Sequence, residues 1–406
     1  MEKIGSDIVI VGGGIVGAAI MYKLQLKFPE KKIFLIEKER NLASHQSGRN
    51  SGVIHSGIYY RQQSLKAKLC VEGRRQYVEF CRKFNVPLKI CGKLVIATDD
   101  KEIEILHRIY ENALRNGVED VVPISAQKIK EIEPYATGKE ALHVKCTGVT
   151  DFAIATKRMT ELAIDINPDS AVFLNYTVTR VDTDKNYKVL ITENYAIYSR
   201  FVVFACGLQA DKIAKIDNIR MDYALVPFRG DFYKLKENVK HYVNNIIYPV
   251  PDPLYPFLGI HFTRMLNGEV ECGPNALPSF SRENYEKFSF NFSDFLDVFM
   301  KKQAIKFFIK NARYGLKEIS KALSKKLFTE VTRKMVPVLK PDDFEYFRSG
   351  IRAILIDKNG KIFDDFLIVK GEKSVHVLSA PSPAATSSLA IADHIIEKID
   401  EELRGD

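Results

Sequence analysis

Short apolar runs, each closed by glycine, proline or an acid, set the rhythm of the N-terminal third. Asp7-Ile8-Val9-Ile10-Val11 runs into Gly12-Gly13-Gly14-Ile15-Val16-Gly17, and a second run, Ile33 to Ile36, ends at Glu37. This pattern predicts a strand, a tight glycine turn, a helix and a second strand closed by an acid. Apolar Leu65, Leu69, Val71, Tyr77, Phe80 and Cys81 recur at helical spacing over residues 64–84, before Pro87. Between these elements, residues 43–60 are rich in Ser, Gly and His, too polar for core and too long for a simple turn. Loops of that length in compact domains usually carry function. A strand over 92–98 and a charged helix over 100–116 follow.

The middle of the chain predicts a helix over 153–166 and strands over 171–175, 178–183, 188–192 and 200–205. Phe201-Val202-Val203-Phe204 is apolar throughout, as a strand buried on both faces of a parallel sheet requires. From 225 to 274 the texture changes to short strand-like runs punctuated by Pro227, Pro249, Pro251, Pro253, Pro256 and Pro274. Prolines are confined to edges and turns of sheets, so an antiparallel sheet is expected there. Strands over 351–356, 366–369 and 375–378 and a closing helix over 384–399, entered through Pro383, complete the reading.

At 406 residues the chain exceeds one ordinary core. The expected architecture is α/β: a Rossmann-like nucleotide-binding domain from residues 1–86, 145–215 and 346–406, and a discontinuous α+β substrate domain from 87–144 and 216–345, built on an antiparallel sheet.

Charge and cysteines narrow the class. The six cysteines form no C-x-x-C and no close pair, which argues against a disulfide framework or a zinc site and for a reducing, cytoplasmic home. The first strand begins at Asp7, leaving no room for a leader ahead of it, and no apolar run approaches the ~20 residues that span a bilayer. The net charge of +9 is uneven: residues 301–326 carry nine of the basic side chains against the single acid Glu318. Apolar Ile305, Phe308, Ile309, Leu316 and Ile319 recur at helical intervals among these cations, interrupted by Gly315. The segment reads as a pair of amphipathic helices, either packed on a domain or presenting a basic face to anionic lipid or an acidic partner. No nucleic-acid module accompanies the charge, so nucleic acid is not an expected partner.

The glycine turn carries the first chemistry. Gly12, Gly14 and Gly17 fit the dinucleotide spacing, in which the first permits the turn, the second admits a pyrophosphate and the third lets helix and strand close up. Ile15 and Val16 open the helix, whose N-terminal amides and dipole face the phosphates. Glu37, twenty residues beyond Gly17, stands where an acid accepts from ribose hydroxyls, with Lys38 beside it.

The polar loop then reads His45-Gln-Ser-Gly-Arg-Asn-Ser-Gly-Val-Ile-His-Ser-Gly-Ile-Tyr-Tyr60, followed by Ser64-Leu-Lys-Ala-Lys-Leu-Cys-Val-Glu-Gly73. These runs resemble the L-2-hydroxyglutarate oxidases and dehydrogenases, FAD enzymes of the wider D-amino acid oxidase and glycine oxidase superfamily. The likeness continues through Val226-Pro-Phe-Arg-Gly-Asp231, Tyr248-Pro-Val-Pro-Asp-Pro253, Pro256-Phe-Leu-Gly-Ile-His-Phe-Thr-Arg264, Gly273-Pro-Asn-Ala276, Ser349-Gly-Ile-Arg-Ala353 and His376-Val-Leu-Ser-Ala-Pro-Ser-Pro-Ala-Ala-Thr386. Residues 280–345 match only in outline. Two departures stand out: Gln62-Gln63 replaces a proline-containing turn, and Cys206 lies within Ala205-Cys206-Gly207, where the superfamily often has Ala-Thr-Gly.

The resemblance implies FAD as cofactor and oxidation of L-2-hydroxyglutarate to 2-oxoglutarate, with hydride passing from C2 to flavin N5. It extends the cofactor site to Ser47, Asn50, Ser51 and Gly52 on the loop, to Val178 and to Ala205, Cys206 and Gly207. Pro383, Ala384, Ala385 and Thr386, at the entry of the closing helix, complete that site. Arg352 is expected to clamp the C1 carboxylate, a planar two-point contact that guanidinium suits. Arg229 and Tyr60 are candidates for the distal carboxylate. The base should be a histidine, whose ordinary pKa lies nearest neutrality. His261 is preferred and His55 is placed on the flavin side, while His376, within an apolar run, reads as a structural imidazole. An amine or amino-acid oxidase of the glycine or sarcosine oxidase type, or another 2-hydroxy acid dehydrogenase, is the competing reading. Electrons are expected to pass to quinone or oxygen, and the basic segment suggests peripheral attachment to the cytoplasmic membrane face.

Overall fold

The computed structural model describes residues 2–252, 259–287 and 289–404. Pro253 and Pro256-Phe257-Leu258, quoted above, lie outside them.

The first sheet is built on β1 (Glu2–Val11), which pairs in parallel with β2 (Ile33–Glu37) on one side and with Tyr195–Phe204 on the other. Ala171–Leu174 extends it beyond β2 and Ser374–Ser379 lies parallel to Tyr195–Phe204. Helix α1 (Ile15–Lys27) crosses between β1 and β2 and is apolar almost all round. It is sandwiched between the sheet, helix Phe152–Ile166 and the closing helix Ser388–Arg404, in one core with Ile8, Ile10, Leu35, Val203 and Val375.

The second sheet runs in the order Ile362–Phe363, Phe344–Ile356, Ala224–Leu235, Val270–Gly273, His261–Arg264, Ile246–Pro249, Lys93–Ala97, Glu140–Val144, Val121–Ser125. Its pairings are antiparallel except that of Ile246–Pro249 with Lys93–Ala97. Residues paired across strands share a face, so this register sorts side chains cleanly. Leu94, Ile96, Ile247 and Phe262 enter one core with Phe328 and Val336, whereas Val95, Ile246 and Tyr248 face the opposite way, toward Val53 and Ile58 of the polar loop.

Several boundaries differ from the sequence reading. The strand expected at 200 begins at Tyr195, because its polar first half pairs with both Glu2–Val11 and Lys188–Ile191. The closing helix begins at Ser388 and not at 384; residues 382–387 are turns. Segment 346–406 divides between sheets: Phe344–Ile356 pairs along its length with Ala224–Leu235 in the second, while Ser374–Ser379 belongs to the first. Sheet membership depends on a distant partner, which local periodicity does not encode.

The basic segment forms helices Lys302–Lys310, Ala312–Leu323 and Lys325–Arg333, preceded by Phe292–Phe299. Gly315 lies inside a helix; the breaks fall at Asn311 and at Ser324, whose side chain caps the Leu327 amide. Ala304 and Phe307 turn inward toward Val226 and Phe228. Ile309 (73% exposed) and Leu316 (67%) face out, so the apolar residues singled out in the sequence do not all seat the segment on the domain.

Candidate active site

A cavity of about 1250 Å³ runs between the two sheets, lined at one end by Gly12, Gly14, Glu37, Tyr176 and Val178 and at the other by Tyr248, His261 and Arg352. Its first end is shaped by the glycines. Gly12 takes φ +117°, and a Cβ there or on Gly17 would collide with the backbone, of Ala205 in one case and of Gly12 in the other. Helix α1 therefore starts close against the strand, with Gly14 as its N-cap and no side-chain cap of its own. Ser47 supplies one, accepting from the Ile15 amide at 2.9 Å, which fastens the polar loop to the helix N-terminus.

Glu37 accepts from the Gly13 amide (2.7 Å) and the Glu39 amide (2.9 Å). A carboxylate has roughly four acceptor positions, so it retains capacity for hydroxyl donors from the cavity. Lys38 lines the cavity with its ammonium held by Glu39, by Glu283 at 2.9 Å and by the His45 ring, so it ties the first strand pair to residues near 283. Cys206 donates to the Val11 carbonyl at 3.4 Å, and burial, with the Glu37 charge, pushes its thiol pKa up. It is a small, inert wall beside Ala205 and Gly207.

The loop is held from several sides. Asn50 donates to the Gln46 and Ser47 carbonyls and accepts from the Gly52 amide. Arg348 donates to the Asn50 carbonyl and pairs with buried Glu271. Asn112 and Asn116 donate to the carbonyls of Gly57, Ile58 and Tyr60, fixing the tyrosines at its end. Thr386 accepts from the His55 amide at 3.0 Å. Pro383, Ala384 and Ala385 line the cavity from a turn that precedes the helix.

At the other end the second sheet positions the titratable groups. Ile246 pairs with Thr263, and that register carried on sets Tyr248 opposite His261, where the rings stack. His261 Nδ1 donates to the Gly259 carbonyl at 3.0 Å, which leaves Nε2 as an acceptor, buried and without a partner among the described residues. Burial, aided by the charges of Arg352 and Lys93 and against the Gly259 bond, pushes its pKa down to about 3. His55 is likewise pushed down to about 3, by burial first and then by Lys93, His261 and Lys66; its Nε2 meets the Ser382 hydroxyl at 3.2 Å. Both imidazoles are neutral. Arg352, paired across from Phe228, lines the cavity and donates to the Asn275 carbonyl at 2.9 Å.

The structure brings Arg352, His261, His55 and Tyr60 into one cavity with the glycine cradle. It does not bring Arg229, whose donors go to Asp231, the Glu286 carbonyl and Tyr346, and which does not line the cavity. Gly17, Gly52 and Thr386 also stand behind the wall, as packing and strut residues. His376 is buried on Asp217 at 2.7 Å, away from the cavity. Sequence reasoning missed Tyr59, Tyr248 and Lys66, which line the cavity, and buried Lys93 beside them. Tyr59, Lys66 and Tyr248 sat inside the quoted motif runs, while Lys93 gave no local signal.

The cavity fits a dinucleotide with a flat polar ring: a cradle closed to any Cβ, a helix N-terminus, an acid at the ribose position and orphaned polar atoms at the far end. Residues 7–398 match the family model of FAD dependent oxidoreductases. The chain is 39% identical to L-2-hydroxyglutarate dehydrogenase of Indibacter alkaliphilus, over 96% of this chain and 98% of that protein. It is 38% identical to the human mitochondrial L-2-hydroxyglutarate dehydrogenase (97% and 89%) and 36% to the Escherichia coli L-2-hydroxyglutarate dehydrogenase (97% and 93%). Among solved structures, L-alpha-glycerophosphate oxidase from Mycoplasma pneumoniae with FAD bound is similar at TM-score 0.79 and 23% identity, covering 100% of this chain and 95% of that one. Glycine oxidase from Geobacillus kaustophilus follows at TM-score 0.71 and 16% identity, covering 99% and 95%. Those two likenesses bear on the fold alone.

Proposed function

The chain belongs to the FAD dependent oxidoreductase family, and we propose that it oxidises the 2-hydroxyl of L-2-hydroxyglutarate to the ketone of 2-oxoglutarate. The observation that carries the site assignment is the neutral His261 imidazole, its unpartnered Nε2 in the same cavity as Arg352 and the glycine cradle.

The glycine turn, Glu37, the 47–51 segment and the 383–385 turn would hold FAD, which would supply the acceptor for the C2 hydrogen and its electron pair. The chain's own residues do the rest. Arg352 grips the C1 carboxylate through its planar fork and so fixes the orientation of C2. His261 Nε2 takes the hydroxyl proton, and the Gly259 carbonyl on Nδ1 holds the ring in the accepting tautomer. The buried rings of Tyr248 and His261 lower the polarity at that end, which strengthens the Arg352 contact.

Anaerobic bleaching of flavin absorbance tests the reaction. L-2-Hydroxyglutarate should bleach it rapidly and the D enantiomer should not. Bleaching by glycine, sarcosine or proline with none by L-2-hydroxyglutarate would make the protein an amine or amino-acid oxidase.

For the electron acceptor we propose membrane quinone, reached by reversible docking on the cytoplasmic membrane face. No helix among the described residues is long and apolar enough to cross a membrane. Supporting docking, Ile309 protrudes from the helix that carries Lys302, Lys306 and Lys310, Leu316 and Leu323 protrude from the helix after it, and Met300 (76% exposed) from the turn ahead of both. Apolar side chains inserting among cations suit an anionic interface, where each basic group contributes about 1 kcal/mol. Salt-sensitive sedimentation with anionic but not neutral vesicles is expected, and equal negligible binding with rapid turnover on oxygen overturns it.

A further inference from the structure

A dicarboxylate has a second charge to place. Arg229 has its donors engaged elsewhere, and Lys66 has its ammonium on Asp364. Lys93 differs from both. It is 1% exposed, and no carboxylate lies within ion-pair distance of it among the described residues. Its ammonium sits over two phenol rings, 4.8 Å from the centroid of Tyr59 and 4.9 Å from that of Tyr248. The remaining groups that face it are the Cys70 and Cys146 thiols, and its field reaches the neutral imidazoles of His55 and His261. A buried cation without a counter-ion is costly, and such groups concentrate at functional sites.

The two phenols are also incomplete. Both rings line the cavity, yet among the described residues both hydroxyls are buried with no hydrogen-bond partner; Ser51 is a polar neighbour of Tyr248, outside bonding geometry. Buried tyrosine hydroxyls ordinarily find a partner. Each has a donor to give, and a cation over the ring draws electron density from the phenol, which makes its O–H a stronger donor. Two phenol donors on the cavity wall, from the loop and from one strand, with a positive charge on the adjacent strand buried against their rings, are complementary to a carboxylate.

We infer that the Tyr59–Lys93–Tyr248 unit is the seat of the substrate's second carboxylate, with the phenols donating to it and the ammonium supplying the countercharge. The inference rests on the dicarboxylate reading above and makes these residues the source of selectivity for a five-carbon diacid over a monoacid. Arg352 and His261 then act on the C1 end, and the stack of Tyr248 on His261 couples the two ends rigidly.

Calorimetric binding of glutarate and pentanoate to the holoenzyme tests it, since the two differ only in the second carboxylate. Wild type should bind glutarate at least about tenfold more tightly. Tyr59→Phe and Tyr248→Phe, which keep the rings and their packing, should each narrow that gap about tenfold and leave pentanoate unchanged, as for a lost hydrogen bond to a charged group. Lys93→Met should erase the gap. A gap unmoved in all three variants, or equal weakening of both ligands, overturns the seat, as does a wild type without preference. Flavin bleaching by L-2-hydroxyglutarate is scored separately. Glutarate preference that the variants abolish, without bleaching, upholds the seat and overturns the substrate; bleaching with an unmoved gap does the reverse.

Discussion

The His261 imidazole lies on the Tyr248 ring with centroids 3.9 Å apart and planes 24° from parallel. The contact follows from strand register: two antiparallel strands paired at Ile246–Thr263 and Ile247–Phe262 bring these side chains together on one face. The stack removes the ring from water, and the Gly259 carbonyl fixes its tautomer. A histidine placed this way waits as a neutral base.

Replacing that base should cost turnover before affinity. His261→Ala is expected to lower the rate of flavin reduction by roughly two to four orders of magnitude with a small change in KM. Since its pKa is about 3, kcat/KM in wild type should stay level from pH 7 down to pH 5. A stopped-flow pH profile with a limb between 6 and 7, retained in the variant, would assign the proton to another group.

The same two depressed histidines set an acid window for stability. In the unfolded chain His55 and His261 titrate near 6.5, and in the folded protein near 3, so below 6.5 the unfolded state binds protons that the folded state does not. Stability is therefore lost as pH falls from 6.5 toward 3, by up to roughly 1.4 kcal/mol per pH unit for each histidine. Urea unfolding at pH 6.5, 5.5 and 4.5 should show a shallower acid loss in the His55→Asn/His261→Asn double variant. Equal slopes would mean that these imidazoles protonate in the folded state.

Arg352→Lys should raise KM and lower kcat together. An ammonium cannot make the two parallel contacts of a guanidinium, and a loss of about 2 to 5 kcal/mol is expected in kcat/KM for a buried charged partner left half-paired. A variant with unchanged steady-state kinetics would move the C1 carboxylate elsewhere in the cavity.

Much of the nucleotide end was legible because its signals are local: a glycine turn, the run of Ile33 to Ile36 and Glu37 lie within one β-α-β unit. At the far end of the cavity the sequence singled out His261 and Arg352 because motifs marked them, and both line that end. Lys93 and Tyr248 meet because Ile246–Pro249 lies parallel to Lys93–Ala97, and nothing local in either run announces that pairing. Arg229 looked available because its partners Tyr346 and Glu286 are far along the chain. Ala384 and Ala385 favour helix by propensity, yet the turn that carries them is held to the loop through Thr386 and His55, and tertiary contact wins. Periodicity in the basic segment told which residues share a helix face but not which face turns inward.

Glu37→Ala is expected to lower FAD occupancy without changing which substrate bleaches the bound fraction. Its carboxylate holds the Gly13 amide and, on the proposed reading, accepts from the ribose, so its loss should loosen the turn and remove an acceptor. The ratio of flavin to protein absorbance after dialysis measures this, and full occupancy would remove the ribose role.

Lys93→Met should make the protein more stable while it erases diacid preference. Burial pushes the Lys93 pKa from its ordinary 10.5 down to about 8. Below pH 8 the lysine is charged in both states, and the folded state bears the whole cost of burying that charge, roughly 3 kcal/mol. Methionine fills a similar volume without it and gives up cation–π contacts worth about 0.5 to 2 kcal/mol, so a net gain of about 1 to 2.5 kcal/mol is expected at pH 7. The sign of the pH dependence separates this from better packing. As pH rises from 8 to 10.5 the folded wild type sheds the proton first, its penalty disappears, and the advantage of the variant should shrink away. Denaturant midpoints at pH 7 and pH 10.5 measure both limits. A variant less stable than wild type at pH 7, or equally advantaged at both, would mean that the ammonium is already compensated in the folded protein and is not held in reserve for an anionic ligand.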